Sequence, residues 1–189
     1  MPQDAFVVGS FQKDGNGWGE GLEPKWAKGP EVFLQAMSIL KESVSNLFVL
    51  LSGPARGYVK EGLKKLSIPY RHCYLDNYPD IVALYHCLDI YIIASREEGG
   101  PKSVLESMAS YIPIVTTRVG QAEDLVFHGQ NGWMVDIGDA EGLASWAGYC
   151  YSNPEELRRI RVAGLLTAQK NTYEAQLSAW TKFFQGFIK

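Results

Sequence analysis

One segment concentrates residues able to bind and act on a charged, hydroxyl-rich ligand: Ser95-Arg96-Glu97-Glu98-Gly99-Gly100-Pro101-Lys102-Ser103-Val104-Leu105-Glu106. The run before it, Asp89-Ile90-Tyr91-Ile92-Ile93-Ala94, reads as a buried strand, and a helix is expected from about Lys102 to Ser110. Two glycines between strand and helix let a ligand approach the backbone. The amides of the first helical turn lack intrahelical acceptors and form an anion site. Each such bond to a phosphate oxygen is worth about 1.5–3 kcal/mol, and Lys102 adds a full charge. Glu98 and Glu106 flank this turn, and a carboxylate can accept from two neighbouring hydroxyls, as a ribose or hexose presents them. Glu97 reads as a solvated acid at a helix start.

Other stretches must position that segment. The apolar runs Ala5–Gly9, Leu47–Leu51, Ile112–Thr116 and Trp133–Val135 read as further strands, and Tyr70–Leu75 as a weaker one. Helices are expected from Pro30, after the break at Ser52-Gly53-Pro54 through Lys65, over Asp80–Leu88, and from Ala140 to the end with one break at Asn153-Pro154. Strands alternating with helices predict an α/β fold: a Rossmann-like, doubly wound, mainly parallel sheet whose ligand lies beyond the carboxyl ends of the strands. Glycines crowd the stretch from Phe11 to Lys28, which reads as a long flexible loop.

The chain of 189 residues, with 46% hydrophobic and 21% charged residues, suits one globular domain without crosslinks. A net charge of −3 gives no general nucleic-acid footprint. No apolar stretch reaches the roughly 18 residues of a membrane span, and the first residues do not resemble a secretory signal. Cys73, Cys87 and Cys150 are scattered, which suits a reducing compartment, and neither His72-Cys73 nor His86-Cys87 has metal-site spacing. The expected setting is cytoplasmic, with peripheral attachment at the inner membrane face as its variant; no nucleic-acid partner, metal or cofactor is expected.

Glu98-Gly99-Gly100-Pro101 through Glu106 resembles the E-x7-E motif of the retaining glycosyltransferases of family 4, which have the GT-B fold. The flanks, Asp89 to Ser95 and Met108 to Val115, resemble it too. So do Val119-Gly120, Asp124-Leu125-Val126 and His128-Gly129-Gln130-Asn131-Gly132-Trp133-Met134-Val135, with Lys28-Gly29 and Ser52-Gly53-Pro54 upstream. The resemblance implies a single unit over 1–189: the C-terminal, donor-binding half of a two-domain enzyme. The N-terminal acceptor domain would be missing from this chain. Such an enzyme would transfer a hexosyl unit from a UDP- or GDP-sugar with retained configuration, and this domain alone would bind donor without turnover.

Carried over by position, Glu106 would hold the ribose hydroxyls, and Glu98 the transferred sugar and the transition-state charge. Backbone at Gly99, Gly100, Pro101, Lys102, Ser103 and Val104 would meet sugar and pyrophosphate, and Lys28 would neutralise leaving-group charge. Many members place an arginine directly after the first strand's glycine. Here Gly9-Ser10-Phe11-Gln12-Lys13 stands instead, leaving Lys13, Lys25 or Arg56 as the substitute. Tyr74 and Leu75 end the third strand near the expected base.

The aromatic stripe Tyr173, Trp180, Phe183, Phe184 and Phe187 reads by default as packing against the domain, while the resemblance turns a final helix from about residue 173 toward the partner domain. Trp18 and Trp26 read first as loop anchors and second as covers for a sugar. A sugar-nucleotide binding module without turnover is the main rival. A Rossmann-type oxidoreductase lacks its G-x-G-x-x-G, a P-loop hydrolase lacks G-x-x-x-x-G-K-[ST], and a glycosidase using both glutamates has no need of a phosphate cradle.

Overall fold

Continuous apolar runs produce strands covered on both faces. The computed structural model describes residues 2–187. Its strands are β1 (Phe6–Phe11), β2 (Leu47–Ser52), β3 (Tyr70–Cys73), β4 (Ile90–Ile93), β5 (Ile114–Thr117) and β6 (Trp133–Val135). They form one sheet in the order β3-β2-β1-β4-β5-β6, and every pairing is parallel. The order in which strands are added reverses between β1 and β4. That is the switch point where open α/β sheets leave a crevice at their carboxyl edge.

The helices are α1 (Pro30–Ser43), α2 (Gly57–Lys65), α3 (Ile81–Tyr85), α4 (Lys102–Ala109), α5 (Ala122–Leu125), α6 (Ala140–Ser152), α7 (Leu157–Lys170) and α8 (Tyr173–Gln185). Alternate strand residues serve opposite faces. Val8, Val49 and Ile92 meet Phe33 and Met37 of α1 and Leu143 of α6 on one side. Val7, Leu50 and Ile93 meet Val104 and Met108 of α4 on the other. Burying each such side chain contributes about 1.5–3 kcal/mol, so both layers hold the sheet firmly beneath the crevice.

The expected elements are present with shifted ends. β3 stops at Cys73, leaving Tyr74 and Leu75 in the loop beyond it, and β5 begins after Pro113. The expected helix over Asp80–Leu88 is shorter: a 3-10 turn (Tyr78–Asp80) leads into α3, and the chain turns again with Leu88 N donating to Tyr85 O at 2.9 Å. The C-terminal region has a second break at Thr172, whose hydroxyl accepts from Ala175 N at 3.1 Å and caps α8. Ile188 and Lys189, part of the expected final helix, lie outside the described residues.

The glycine-rich segment is a pinned excursion rather than a free loop. Gly15 pairs with Pro24, Asn16 N donates to Glu23 O (2.9 Å), and Lys25 N donates to Asp14 O (2.8 Å). Its tip docks on α2, where Gly57 N and Tyr58 N donate to Glu20 O (2.6 Å) and Gly21 O (2.8 Å). The loop backbone therefore occupies the start of α2. No described residue of α8 is buried; Tyr173 is 96% exposed and Trp180 53%. The default expectation of packing against the domain fails there, because the aromatic stripe of α8 stays exposed.

Candidate functional site

A cavity of about 600 Å³ opens at the carboxyl edge of the sheet. Four strand ends build it: Phe11, Gln12 and Lys13 after β1, Ser52-Gly53-Pro54 after β2, Tyr74 to Asp76 after β3, and Glu98 to Ser103 after β4. Of the residues expected from sequence, Lys13, Lys28, Tyr74, Leu75, Glu98, Gly100, Pro101, Lys102, Ser103 and Glu106 line it together, with Lys25.

Gly29 positions Lys28. It caps α1 with φ 56° and ψ 42°, and a Cβ there would lie 2.0 Å from Ala94 O at the end of β4. Only glycine takes both the left-handed conformation and the contact. The loops after β1 and β4 are joined further: Arg96 N (2.8 Å) and Glu97 N (3.0 Å) both donate to Ala27 O. This brings Lys28 Nζ onto Glu98 Oε1, which also accepts from Ser95 Oγ at 2.9 Å. Below the turn, Gln121 N donates to Gly99 O at 2.9 Å. A Cβ on Gly120 would strike Glu98 O at 2.2 Å, so a second glycine supports the acidic turn from beneath.

α4 begins at Lys102 with Pro101 as its N-cap, so the amides of Lys102 and Ser103, two residues that line the cavity, have no acceptor within the helix. One turn on, Glu106 accepts from two phenols: Tyr78 Oη at Oε1 and Tyr85 Oη at Oε2, the latter at 3.1 Å. Burial pushes both phenols well above their ordinary pKa, and the Glu106 carboxylate reinforces this. Both therefore stay protonated donors near neutral pH. Tyr91 lies beneath. Its hydroxyl accepts from Phe11 N at 2.8 Å and donates to Phe11 O at 3.2 Å, and burial pushes its pKa up to about 12.

Four expectations need correction. Arg56 does not reach a ligand. It is 1% exposed, its Nη1 donates to Ser10 O (2.6 Å), Gln12 O (3.0 Å) and Ser52 O (2.9 Å), and its Nη2 lies 3.0 Å from Asp14 Oδ2. The guanidinium is consumed in tying the loop after β1 to β2. Val104 points into the core at 0% exposure and its amide donates to Pro101 O at 3.0 Å, which leaves it a packing role. Gly99 lies outside the main cavity and lines an adjoining, more open cleft that shares Lys25, Lys28 and Glu98 with it. The two tryptophans do not anchor the loop either. Trp18 is 87% exposed with Lys13 Nζ 3.7 Å above its ring, and Trp26 is 59% exposed.

Sequence reasoning missed Tyr78 and Tyr85. Tyr85 sits in an apolar helical pattern, which reads as core, and Tyr78 precedes a proline, which reads as turn. Their seven-residue separation was the one available hint that both could reach the same group.

The glycosyl transferases group 1 family model matches residues 23–165. Among curated relatives, the N-acetyl-alpha-D-glucosaminyl L-malate synthase of Bacillus anthracis is 29% identical over 109 residues, which take in 58% of this chain and 29% of that protein. A glycosyltransferase structure from Rickettsia africae ESF-5 superposes with a TM-score of 0.82 at 24% identity, over 100% of this chain and 49% of that one. Anabaena Alr3699/HepE in complex with UDP-glucose gives 0.77 at 22% identity, over 94% and 48%. The chain thus spans about half the length of these solved structures, and the fold is the Rossmann-like α/β architecture of GT-B glycosyltransferase structures. With the model covering most of its length, this chain belongs to the glycosyl transferases group 1 family.

Proposed function

We propose that the chain is the C-terminal, donor-binding domain of a retaining, family 4 glycosyltransferase that transfers a hexosyl unit from a UDP- or GDP-sugar. One observation carries this reading. Glu98 and Glu106 flank the free N-terminus of α4 in a single cavity at the switch point of the sheet, with Lys28 paired to Glu98. Two carboxylates for hydroxyls and a positive helix end for phosphate suit a nucleotide-sugar, and a structural neighbour was solved with UDP-glucose.

In this reading the ribose diol binds Glu106, and the pyrophosphate meets the amides of Lys102 and Ser103. Lys28 shifts from Glu98 toward the diphosphate as the bond to the sugar breaks. The freed Glu98 carboxylate then faces the positive charge developing at the sugar ring, while the acceptor attacks from the face the leaving group vacates. Fixed groups aimed at developing charge are the usual largest contribution to such a barrier. Metal is not part of this mechanism, because Lys28 and the helix terminus supply the positive charge. Lys13 and Lys25 are the remaining cations for the phosphates, since Arg56 is buried. The acceptor and its binding groups belong to a domain outside this chain. The exposed aromatic face of α8 is proposed to cover part of that domain.

Calorimetric titration with UDP, GDP and ADP tests the proposal. At least one should bind, and Glu106→Ala should weaken it roughly tenfold or more, as expected for loss of charge-assisted hydrogen bonds. Binding of none of the three overturns the reading. NADH binding would favour an oxidoreductase, and cleavage of a model glycoside without nucleotide would favour a glycosidase.

A further inference from the structure

The two phenols on Glu106 are unlike in every respect that governs exchange. Tyr85 is 0% exposed and packed edge-on against Phe11 (ring centroids 5.0 Å apart) and beside Tyr91 (5.3 Å). Its hydroxyl cannot leave Oε2 without opening the core, so it fixes the orientation of the carboxylate. Tyr78 is 58% exposed on a single 3-10 turn and lines the cavity, with Lys102 Nζ 5.8 Å from its ring centroid. Its hydroxyl donates to the other oxygen, Oε1, and both residues line the cavity.

We propose that Tyr78 is a latch on Glu106: its hydroxyl occupies Oε1 while the cavity is empty, and a ribose diol must displace it to bind. The proposal rests on the donor-binding reading above. A bidentate diol needs the carboxylate edge that the Tyr78 hydroxyl now holds, so the empty state is stabilised by a hydrogen bond that the bound state gives up. The latch thereby lowers affinity for any nucleotide with a ribose diol and leaves untouched one without it.

The test compares the wild-type chain with Tyr78→Phe, which keeps the ring and removes only the hydroxyl. Calorimetry is run with UDP, GDP and ADP, and with the 2′,3′-dideoxy form of whichever binds. The latch predicts that Tyr78→Phe binds the ribonucleotide roughly three- to tenfold more tightly, the range expected for one hydrogen bond no longer given up. It predicts equal binding of the dideoxy form by both proteins. Unchanged or weaker ribonucleotide binding by the variant overturns the latch, showing that diol and phenol share the carboxylate. An equal gain for both nucleotides also overturns it, since the hydroxyl would then act as a general obstruction. If the wild-type chain binds none of the three nucleotides, the donor reading itself falls and the latch falls with it.

Discussion

Two ion pairs stand at the carboxyl edge of the sheet, a short distance apart in the fold and opposite in consequence. Arg56 and Asp14 are both 0% exposed in their side chains, whereas Lys28 and Glu98 keep 21% and 15%. The Asp14 carboxylate is held to Arg56 by charge at 3.0 Å without a well-aligned hydrogen bond, and the two terminal guanidinium nitrogens donate to Ser10, Gln12 and Ser52. That pair has no path to solvent, so it can only hold the loops after β1 and β2 in register. Lys28 and Glu98 line a cavity, and each can exchange its partner for a ligand group. Charge type is the same in both places; access to solvent separates scaffold from chemistry.

Removing one partner of the enclosed pair should have the largest effect. Arg56→Met leaves a buried carboxylate uncompensated, a change that costs about 3–5 kcal/mol in comparable sites, to be read as a lowered urea midpoint. The loss should depend on pH. Burial already raises the Asp14 pKa above 3.8, and the nearby Arg56 charge opposes that rise. Without Arg56 the folded-state value rises further. A carboxyl whose folded pKa is raised binds its proton more tightly when folded, so its contribution is fully favourable below the unfolded pKa and is lost as pH rises through the folded one. The deficit of Arg56→Met should therefore shrink as pH falls from 7 toward 4. A deficit that stays constant across that range would break the comparison, by showing that Asp14 is not the group left in distress.

The open pair should respond in binding instead of stability. Lys28→Ala removes a charge-assisted contact worth about 1.5–3 kcal/mol, so nucleoside diphosphate affinity should fall by roughly ten- to a hundredfold. Its urea midpoint should move little. An equal loss of stability in Lys28→Ala and Arg56→Met would erase the distinction drawn between the two pairs.

The same contrast explains what was readable in the chain. Five of the six strands announce themselves as apolar runs, β3 (Tyr70–Cys73) being the weak one, and strand, glycine pair, helix and two glutamates place Glu98 and Glu106 about one strand end. Lys28 was legible because Gly29 follows it, and the structure shows why that glycine is needed. Arg56 was not legible. Residue type says it is charged, but its burial depends on Asp14 and three carbonyls contributed from distant parts of the chain, and such long-range closure has no local pattern. Val104 sits within the motif, yet its place on α4 turns it to the core. For α8 the aromatic spacing was correctly read as a helix, but periodicity cannot say whether an apolar stripe meets its own domain or faces outward. The phenols on Glu106 escaped because a tyrosine in an apolar pattern looks like packing until its hydroxyl is located.

The smallest effect is the sharpest discriminator. Glu98→Gln keeps the shape of the side chain and removes only its charge, so Lys28 loses an ionic partner on the cavity wall. Partly exposed pairs of this kind contribute at most about 1 kcal/mol, and the unfolding free energy should change by no more than that. The freed Lys28 and the loss of a nearby negative charge should at the same time favour the diphosphate, so binding should tighten modestly, opposite in sign to Lys28→Ala. Paired with transfer assays on the complete enzyme, this separates two uses of one carboxylate. Tighter nucleotide binding together with lost turnover would place Glu98 on the transition state, whereas a stability loss near that of Arg56→Met would make it a second scaffold ion pair.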